Sequence, residues 1–190
     1  MSRFLLSPSR ATLVLQRGDL TRWQGDAVVN AANSRMLGGG GVDGALHAAA
    51  GPQLREACEK VECVRPGVRC PPGEARITPA FHLPCKYVIH TVGPIFENLQ
   101  SDGPTLESCY RSCLKLANEY GVKTIAFPAV SCGIYGFPMQ DAAKVALKAC
   151  ADNAQSMQEV HFVLFNDEAY HAWLQEAERT LNSVGDETKE

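Results

Sequence analysis

Residues 18–51, GDLTRWQGDAVVNAANSRMLGGGGVDGALHAAAG, carry a strand, two asparagines, four consecutive glycines and the start of a helix in one short run. Ala27, Val28 and Val29 make an apolar stretch with two β-branched residues, the composition of a buried strand. Asn30 and Asn33 follow directly. Gly38, Gly39, Gly40 and Gly41 then remove every side chain from four successive positions, so the backbone can take positive φ and its N–H groups can approach a ligand. A helix is expected where the glycines end: Val42, Leu46 and Ala49 recur at i, i+4 and i+7 as an apolar stripe, with Asp43 and His47 at i, i+4 on a neighbouring face. A strand that runs through such a loop into a helix N-terminus makes an anion site without any lysine, because unpaired N–H groups converge where the helix dipole places about half a positive charge. On its own a glycine run is as often a flexible loop, and neither G-x-x-x-x-G-K-[ST] nor G-x-G-x-x-G with its later acidic partner is present.

Outward from this stretch the chain alternates strand and helix signals. Residues 13–15 read as a strand that ends in the turn G-D-L-T, where Asp19 is suited to cap the next turn. Gly51-Pro52 opens a second helix reaching Cys63, and residues 65–73, with their prolines and glycines, form a loop. Strands are expected at 75–78 and 87–92, a loop at 97–104, and a helix at 105–120 closed by Gly121. A strand at 124–127 leads into a second glycine loop, AVSCGIYGFP at 129–138, and a helix over 139–153 follows it. A last strand at 160–165 and a last helix at 168–181 precede residues 182–190, whose polar, charged composition predicts a disordered tail. The alternation argues an α/β sheet covered on both faces, with both glycine loops at strand C-termini, where open α/β sheets bind ligands.

At 190 residues and 45% hydrophobic the chain is sized for one core and one domain. A net charge of -3, with basic residues scattered, disfavours general nucleic-acid binding but leaves a small nucleotide-like ligand open, since backbone dipoles can hold one diphosphate. The eight cysteines contain no C-x-x-C and the five histidines form no ligand cluster with them, so zinc is not expected and the thiols are read as reduced, in a cytosolic or nuclear compartment. The first ten residues hold arginines and serines without an acid, a transit-like composition too short to establish one. No apolar run approaches the roughly twenty residues that span a bilayer.

The order of motifs, G-D-[IL]-T, then N-A-A-N, then G-G-G-G-V-D-G and a helical His, with the second glycine loop following, resembles the macrodomain family, specifically its MacroD-type ADP-ribosyl hydrolases, from about residue 13 to 173. The resemblance implies a three-layer α/β/α sandwich around a mixed sheet, spanning residues 1–181, and ADP-ribose as ligand. Asp19 matches the family's adenine-reading acid, with Leu20 beside it; Phe165 matches the aromatic that packs on the base, and without the resemblance would read as plain core. Ser131, Cys132, Gly133, Ile134 and Tyr135 match the diphosphate loop. Asn30 and Asn33 match the asparagines near the distal ribose, Asn33 bonding its hydroxyls and Asn30 either meeting the ribose or, equally, holding the loop together. Gly40, Gly41 and Val42 match the floor under that ribose. Asp43 matches the residue that orients or activates the attacking water, with His47 nearby, although an acid in a first helical turn is also favoured by the dipole alone, by roughly 0.3–1 kcal/mol. His90 reads as structural. Glu74 departs from the pattern, standing where relatives often have His.

The implied activity is metal- and cofactor-free hydrolysis of ester bonds on the distal ribose, which would remove mono-ADP-ribose from acidic side chains of proteins and deacetylate O-acetyl-ADP-ribose. The expected partners are these modified proteins and small ligands, with no membrane and a monomeric chain. A non-catalytic reader of mono-ADP-ribosylated proteins, or a phosphatase acting on ADP-ribose 1″-phosphate, would use the same site.

Overall fold

Apolar runs in the central strands alternate between two cores, and this alternation is what layers the molecule. The computed structural model describes residues 1–184. The strands are β1 (Ser2–Leu5), β2 (Thr12–Arg17), β3 (Gly25–Ala31), β4 (Ala75–Pro79), β5 (Cys85–Thr91), β6 (Thr124–Phe127), β7 (Glu159–Leu164) and β8 (Asn182–Ser183). The helices are α1 (Gly41–Ala50), α2 (Pro52–Glu59), α3 (Leu99–Glu119), α4 (Met139–Asn153) and α5 (Asp167–Thr180). One mixed sheet runs in the order β4-β5-β3-β6-β7-β2-β1-β8, with a parallel centre and antiparallel pairs at both margins. Ala27, Val29, Ile89, Ile125 and Phe162 face a core shared with α3, α4 and α5. Their neighbours Val28, Val88, Ala126 and Val163 face a smaller core under α1 and α2. The three layers implied by the resemblance are therefore present, and each central strand is buried on both sides, as parallel strands are.

Beyond shifts of one or two residues at element ends, four features differ from expectation. The transit-like N-terminus is a strand near the sheet margin: β1 pairs antiparallel with β2, Phe4 opposite Leu13, and Phe4 and the following Leu6 are buried. The expected tail begins with β8, which pairs with β1 and is extended by the Val184 N–H donating to Arg3 O, so the fold continues past residue 181; residues 185–190 of that expectation lie outside the described residues. Helix α2 stops at Glu59, short of Cys63. Helix α3 starts at Leu99, inside the segment expected to be a loop. Asn98 Oδ1 caps it, accepting from the Ser101 N–H at 3.0 Å, while Asp102 Oδ2 accepts from the N–H groups of Glu97 and Asn98 at 2.7 and 2.9 Å. These caps hold an N-terminal turn that Gly103 and Pro104 alone would disfavour.

Asn98→Ala is accordingly expected to destabilise the protein by about 0.5–2 kcal/mol, the usual cost of a lost N-cap. Urea denaturation measures it, and an unmoved midpoint would mean that water replaces the cap without loss.

Candidate functional site

Because β2, β3, β5, β6 and β7 are mutually parallel, the loops that follow them all open on one edge of the sheet. This edge collects Asp19 after β2, the asparagines and first glycine loop after β3, Gly93 after β5, the second glycine loop after β6, and Phe165 after β7. Such an edge is where open α/β sheets take ligands.

Asp19 caps a single 3-10 turn, Leu20–Arg22: its Oδ1 accepts from the Thr21 N–H at 2.9 Å and the Thr21 hydroxyl at 2.7 Å. These bonds hold its pKa below the ordinary carboxylate value. Its Oδ2 has no partner among the described residues, so the cap leaves one acceptor to the cleft. Leu20 turns its side chain into the core, and only its main chain is left for a ligand. Phe165 is 84% exposed, which overturns its reading as plain core and leaves an aromatic face open at the rim beside Asp19.

The first glycine loop is held from both ends. Met36, fully buried at φ 60°, anchors it from below. Asn33 ties it along its length, Oδ1 accepting from the Arg35 N–H at 3.1 Å and Nδ2 donating to Gly38 O at 3.2 Å. The glycines then meet α1 closely. A Cβ at Gly44 would lie 2.5 Å from the Gly39 carbonyl oxygen, and a Cβ at Gly39 would lie 3.0 Å from Asp43 Oδ2. A Cβ at Gly40 or Gly41 would meet no heavy atom within 4 Å, and both residues are exposed, so the space over them is open.

Asp43 is the unusual member. The buried positions of α1 are Asp43, Leu46 and Ala50, whereas Val42 is half-buried and Ala49 exposed, so the inner stripe is rotated from the expected one and carries a carboxylate. At 4% exposure, Asp43 has its pKa raised by burial, against the opposing pull of Asn30 and His47. Its two oxygens differ. Oδ1 accepts from Asn30 Nδ2 at 2.8 Å and lies 3.5 Å from His47 Nε2; Oδ2, beneath Gly39, accepts no hydrogen bond among the described residues. Asn30 is fully buried and reaches Asp43, so its place is under the acid, while Asn33 is the residue that ties the loop.

The second glycine loop is shaped by Ser131, buried at φ 64°, a left-handed conformation costing about 1–3 kcal/mol in a non-glycine residue. Ser131 O accepts from the Phe137 N–H at 2.9 Å, and Tyr135 O accepts from the Phe96 N–H at 2.8 Å. Between these anchors the N–H groups of Gly133, Ile134 and Tyr135 have no acceptor among the described residues, and Ile134 is 99% exposed. Consecutive unpaired N–H groups ahead of the α4 N-terminus are the kind of arrangement that can hold an anion. Cys132 is half-buried with its thiol pushed up to about 12 by burial, so it is no nucleophile. One participant has no signal in the linear sequence: Gly93, where a Cβ would stand 2.0 Å from Ser131 Oγ. Its need for glycine follows from a contact across the sheet edge, which no local pattern encodes.

A family model described as the Macro domain matches residues 29–146. A macro domain-containing protein of Xanthomonas axonopodis pv. citri is 48% identical over 163 residues, covering 84% of this chain and 91% of that relative. One from Vibrio parahaemolyticus is 49% identical over 159 residues, covering 84% and 93%. Among solved structures, the Oceanobacillus iheyensis macrodomain with ADP has a TM-score of 0.86 at 37% identity, covering 93% of this chain and 94% of that one. The Trypanosoma brucei macrodomain in complex with ADP-ribose has a TM-score of 0.76 at 38% identity, covering 91% and 73%. The matched residues run from within β3 to within α4 and take in both glycine loops, and the chain belongs to the macro domain family.

Proposed function

We propose that the chain binds ADP-ribose along the carboxyl edge of its sheet and hydrolyses esters on the distal ribose, releasing ADP-ribose from acidic protein side chains and acetate from O-acetyl-ADP-ribose. The observation that carries this reading is the buried Asp43, with one oxygen anchored by Asn30 and the other unbonded beneath the glycine loop. ADP and ADP-ribose in the two related structures support the choice of ligand. Asp19 Oδ2 accepts from the adenine amine and Phe165 covers the base. The diphosphate rests on the N–H groups of Gly133, Ile134 and Tyr135, and the distal ribose lies over Gly40 and Gly41, with Val42 beside it.

Chemistry then follows from position and charge. Burial raises the Asp43 pKa, so the ionised carboxylate is a stronger base than a solvated one and can take a hydrogen from water through Oδ2. The water oxygen adds to the ester carbonyl carbon, the bond from the acyl carbon to the ribose oxygen breaks, and the proton held by Asp43 passes to the departing ribose alkoxide, leaving a carboxylic acid and a ribose hydroxyl. His47 stands behind the acid, and Asn33, which ties the glycine loop through Gly38 O, bonds the ribose hydroxyls.

Three outcomes are expected. Asp19→Ala weakens ADP-ribose binding by about 1–3 kcal/mol in calorimetry, the range for a lost charged hydrogen bond; unchanged affinity would leave Asp19 with its cap alone. Asp43→Ala lowers turnover of glutamate-linked ADP-ribose and O-acetyl-ADP-ribose by about 10²–10⁴-fold with ADP-ribose affinity nearly unchanged. Tight binding by the parent with no turnover of either substrate would make the protein a reader, and cleavage of ADP-ribose 1″-phosphate instead would make it a phosphatase.

The third outcome concerns pH. Burial raises the folded-state pKa of Asp43 above its unfolded value, so the folded state binds the proton more tightly and stability falls as pH rises through that window. At neutral pH the ionised Asp43 is a destabilising charge. Asp43→Asn is therefore expected to raise the melting temperature at pH 7, with the gain shrinking as pH drops below the parent's folded-state pKa. A variant that melts lower than the parent at pH 7 would contradict this.

A further inference from the structure

Asp43 is one of several polar groups buried on the α1/α2 face of the sheet. Register pairs Asn30 of β3 with His90 of β5, and Thr78 of β4 lies opposite Val88, so strand alternation turns Thr78, His90 and Asn30 toward one face. All three are buried. Asn30 Nδ2 lies 2.8 Å from Asp43 Oδ1 and 3.1 Å from His90 Nδ1, and His90 Nε2 lies 3.0 Å from Thr78 Oγ1. These distances leave one consistent set of protons. A carboxylate needs a donor, which fixes the amide nitrogen of Asn30 on that side, and the second hydrogen of the same nitrogen points at His90 Nδ1. That ring atom must then be a bare lone pair. A neutral imidazole with a bare Nδ1 carries its proton on Nε2, where Thr78 Oγ1 accepts it. Burial keeps the ring neutral, its pKa pushed down to about 3.

We propose that His90 and Thr78 are positioning residues for the hydrolysis: Thr78 selects the His90 tautomer, His90 orients the Asn30 amide, and Asn30 holds Asp43 Oδ1 so that Oδ2 is left to the water. The chain rests on the hydrolase reading above for its purpose, and on geometry for its existence. Its orientation is not the one that best satisfies Asn30 itself. Asn30 Oδ1 is buried and has no hydrogen-bond partner, so the amide is arranged around the needs of Asp43 and His90. Nor does another group near the ring replace Thr78, since Cys58 Sγ lies 3.7 Å from Nε2 and sulfur is a poor acceptor.

The test uses the full chain, isotopically labelled, with Thr78→Val, His90→Leu and His90→Asn beside the parent. Nitrogen spectra of His90 report its tautomer, the Asp43 carboxyl carbon is titrated, and turnover of O-acetyl-ADP-ribose and ADP-ribose affinity are measured. The titratable groups around Asp43 are His47 from its own helix, the Cys58 thiol from α2, which burial pushes up to about 11, and, beyond the Asn30 amide that bonds the acid, the neutral His90 from β5. Neither His90 nor Cys58 changes charge between pH 4 and 8, roughly the window to be titrated.

The parent is expected to hold His90 in the Nε2–H form. Thr78→Val mixes the tautomers, moves the Asp43 titration to higher pH because the Asn30 bond that lowers it is loosened, and shifts the acid limb of turnover the same way. His90→Leu lowers turnover by about 10²-fold, the scale of a small misplacement in a site, with affinity unchanged. His90→Asn, which restores an acceptor at the position of Nδ1, recovers most of it. Thr78→Val carries the decision if His90→Leu does not fold, as judged by circular dichroism. A parental Asp43 titration, tautomer and turnover in a folded Thr78→Val would overturn the proposal. A parent without turnover whose Asp43 titration still moves in Thr78→Val would sink the hydrolase reading while leaving the positioning chain intact.

Discussion

The bond from Asn30 Nδ2 to Asp43 Oδ1, 2.8 Å long and fully inside the protein, is the contact around which the ligand edge is arranged. It joins the end of β3 to the first turn of α1, and it lets a carboxylate sit where only apolar groups would otherwise fit. Burying an unpaired charge is prohibitive, so three features share its compensation: the Asn30 donor, His47 one turn along, and the N-terminal dipole of α1. The glycines are the steric counterpart. A Cβ at Gly39 would crowd Asp43 Oδ2 at 3.0 Å, and Gly44 is held so close to the Gly39 carbonyl that a Cβ there would stand 2.5 Å from backbone oxygen, so the helix meets the loop at position 44 only as glycine.

The two glycine loops divide the work between them. One positions the acid and leaves open backbone over Gly40 and Gly41; the other presents three successive N–H groups ahead of a helix N-terminus. Neither uses a lysine or arginine, which suits a chain of net charge -3. Backbone dipoles are fixed at the moment of folding and need no reorganisation when an anion arrives. The cost is local strain, visible in Met36 and Ser131, both left-handed without being glycine.

Which parts of this were legible in the linear sequence follows from what each part depends on. Helix α4 and strand β6 lie within their expected bounds because their signals are local: an apolar period and a β-branched run closed by proline. The short strands β1 and β8 have no clear local signal, being brief and, for β8, paired with a partner far along the chain, and the start of α3 is hidden in a local reading because Gly103 and Pro104 outweigh caps supplied by Asn98 and Asp102. In the site, motif order singled out Asp19, Asp43, both asparagines and both loops, and the structure brings them to one edge. Counting apolar positions on α1 nevertheless chose Ala49 over Ala50, since such a count cannot anticipate an acid on the inner face. The places of Gly93, Thr78 and His90 depend on register and on contacts between strands, information that exists only once the sheet is built.

The same buried acid bears on whether this edge is arranged to bind or to react. A diphosphate carries negative charge, and a carboxylate near its ribose contributes repulsion to binding, together with a desolvation cost to folding. A module selected only to hold the ligand would do better with a neutral amide at position 43, which could keep the bond from Asn30 and add a donor toward the ribose. What the carboxylate offers instead is basicity raised by burial and one oxygen without a partner, which the proposed reaction uses as a base and a clamp would use only as an acceptor. Burial of its charge costs stability, and on the proposed hydrolase reading transition-state stabilisation is the term that favours a carboxylate at position 43.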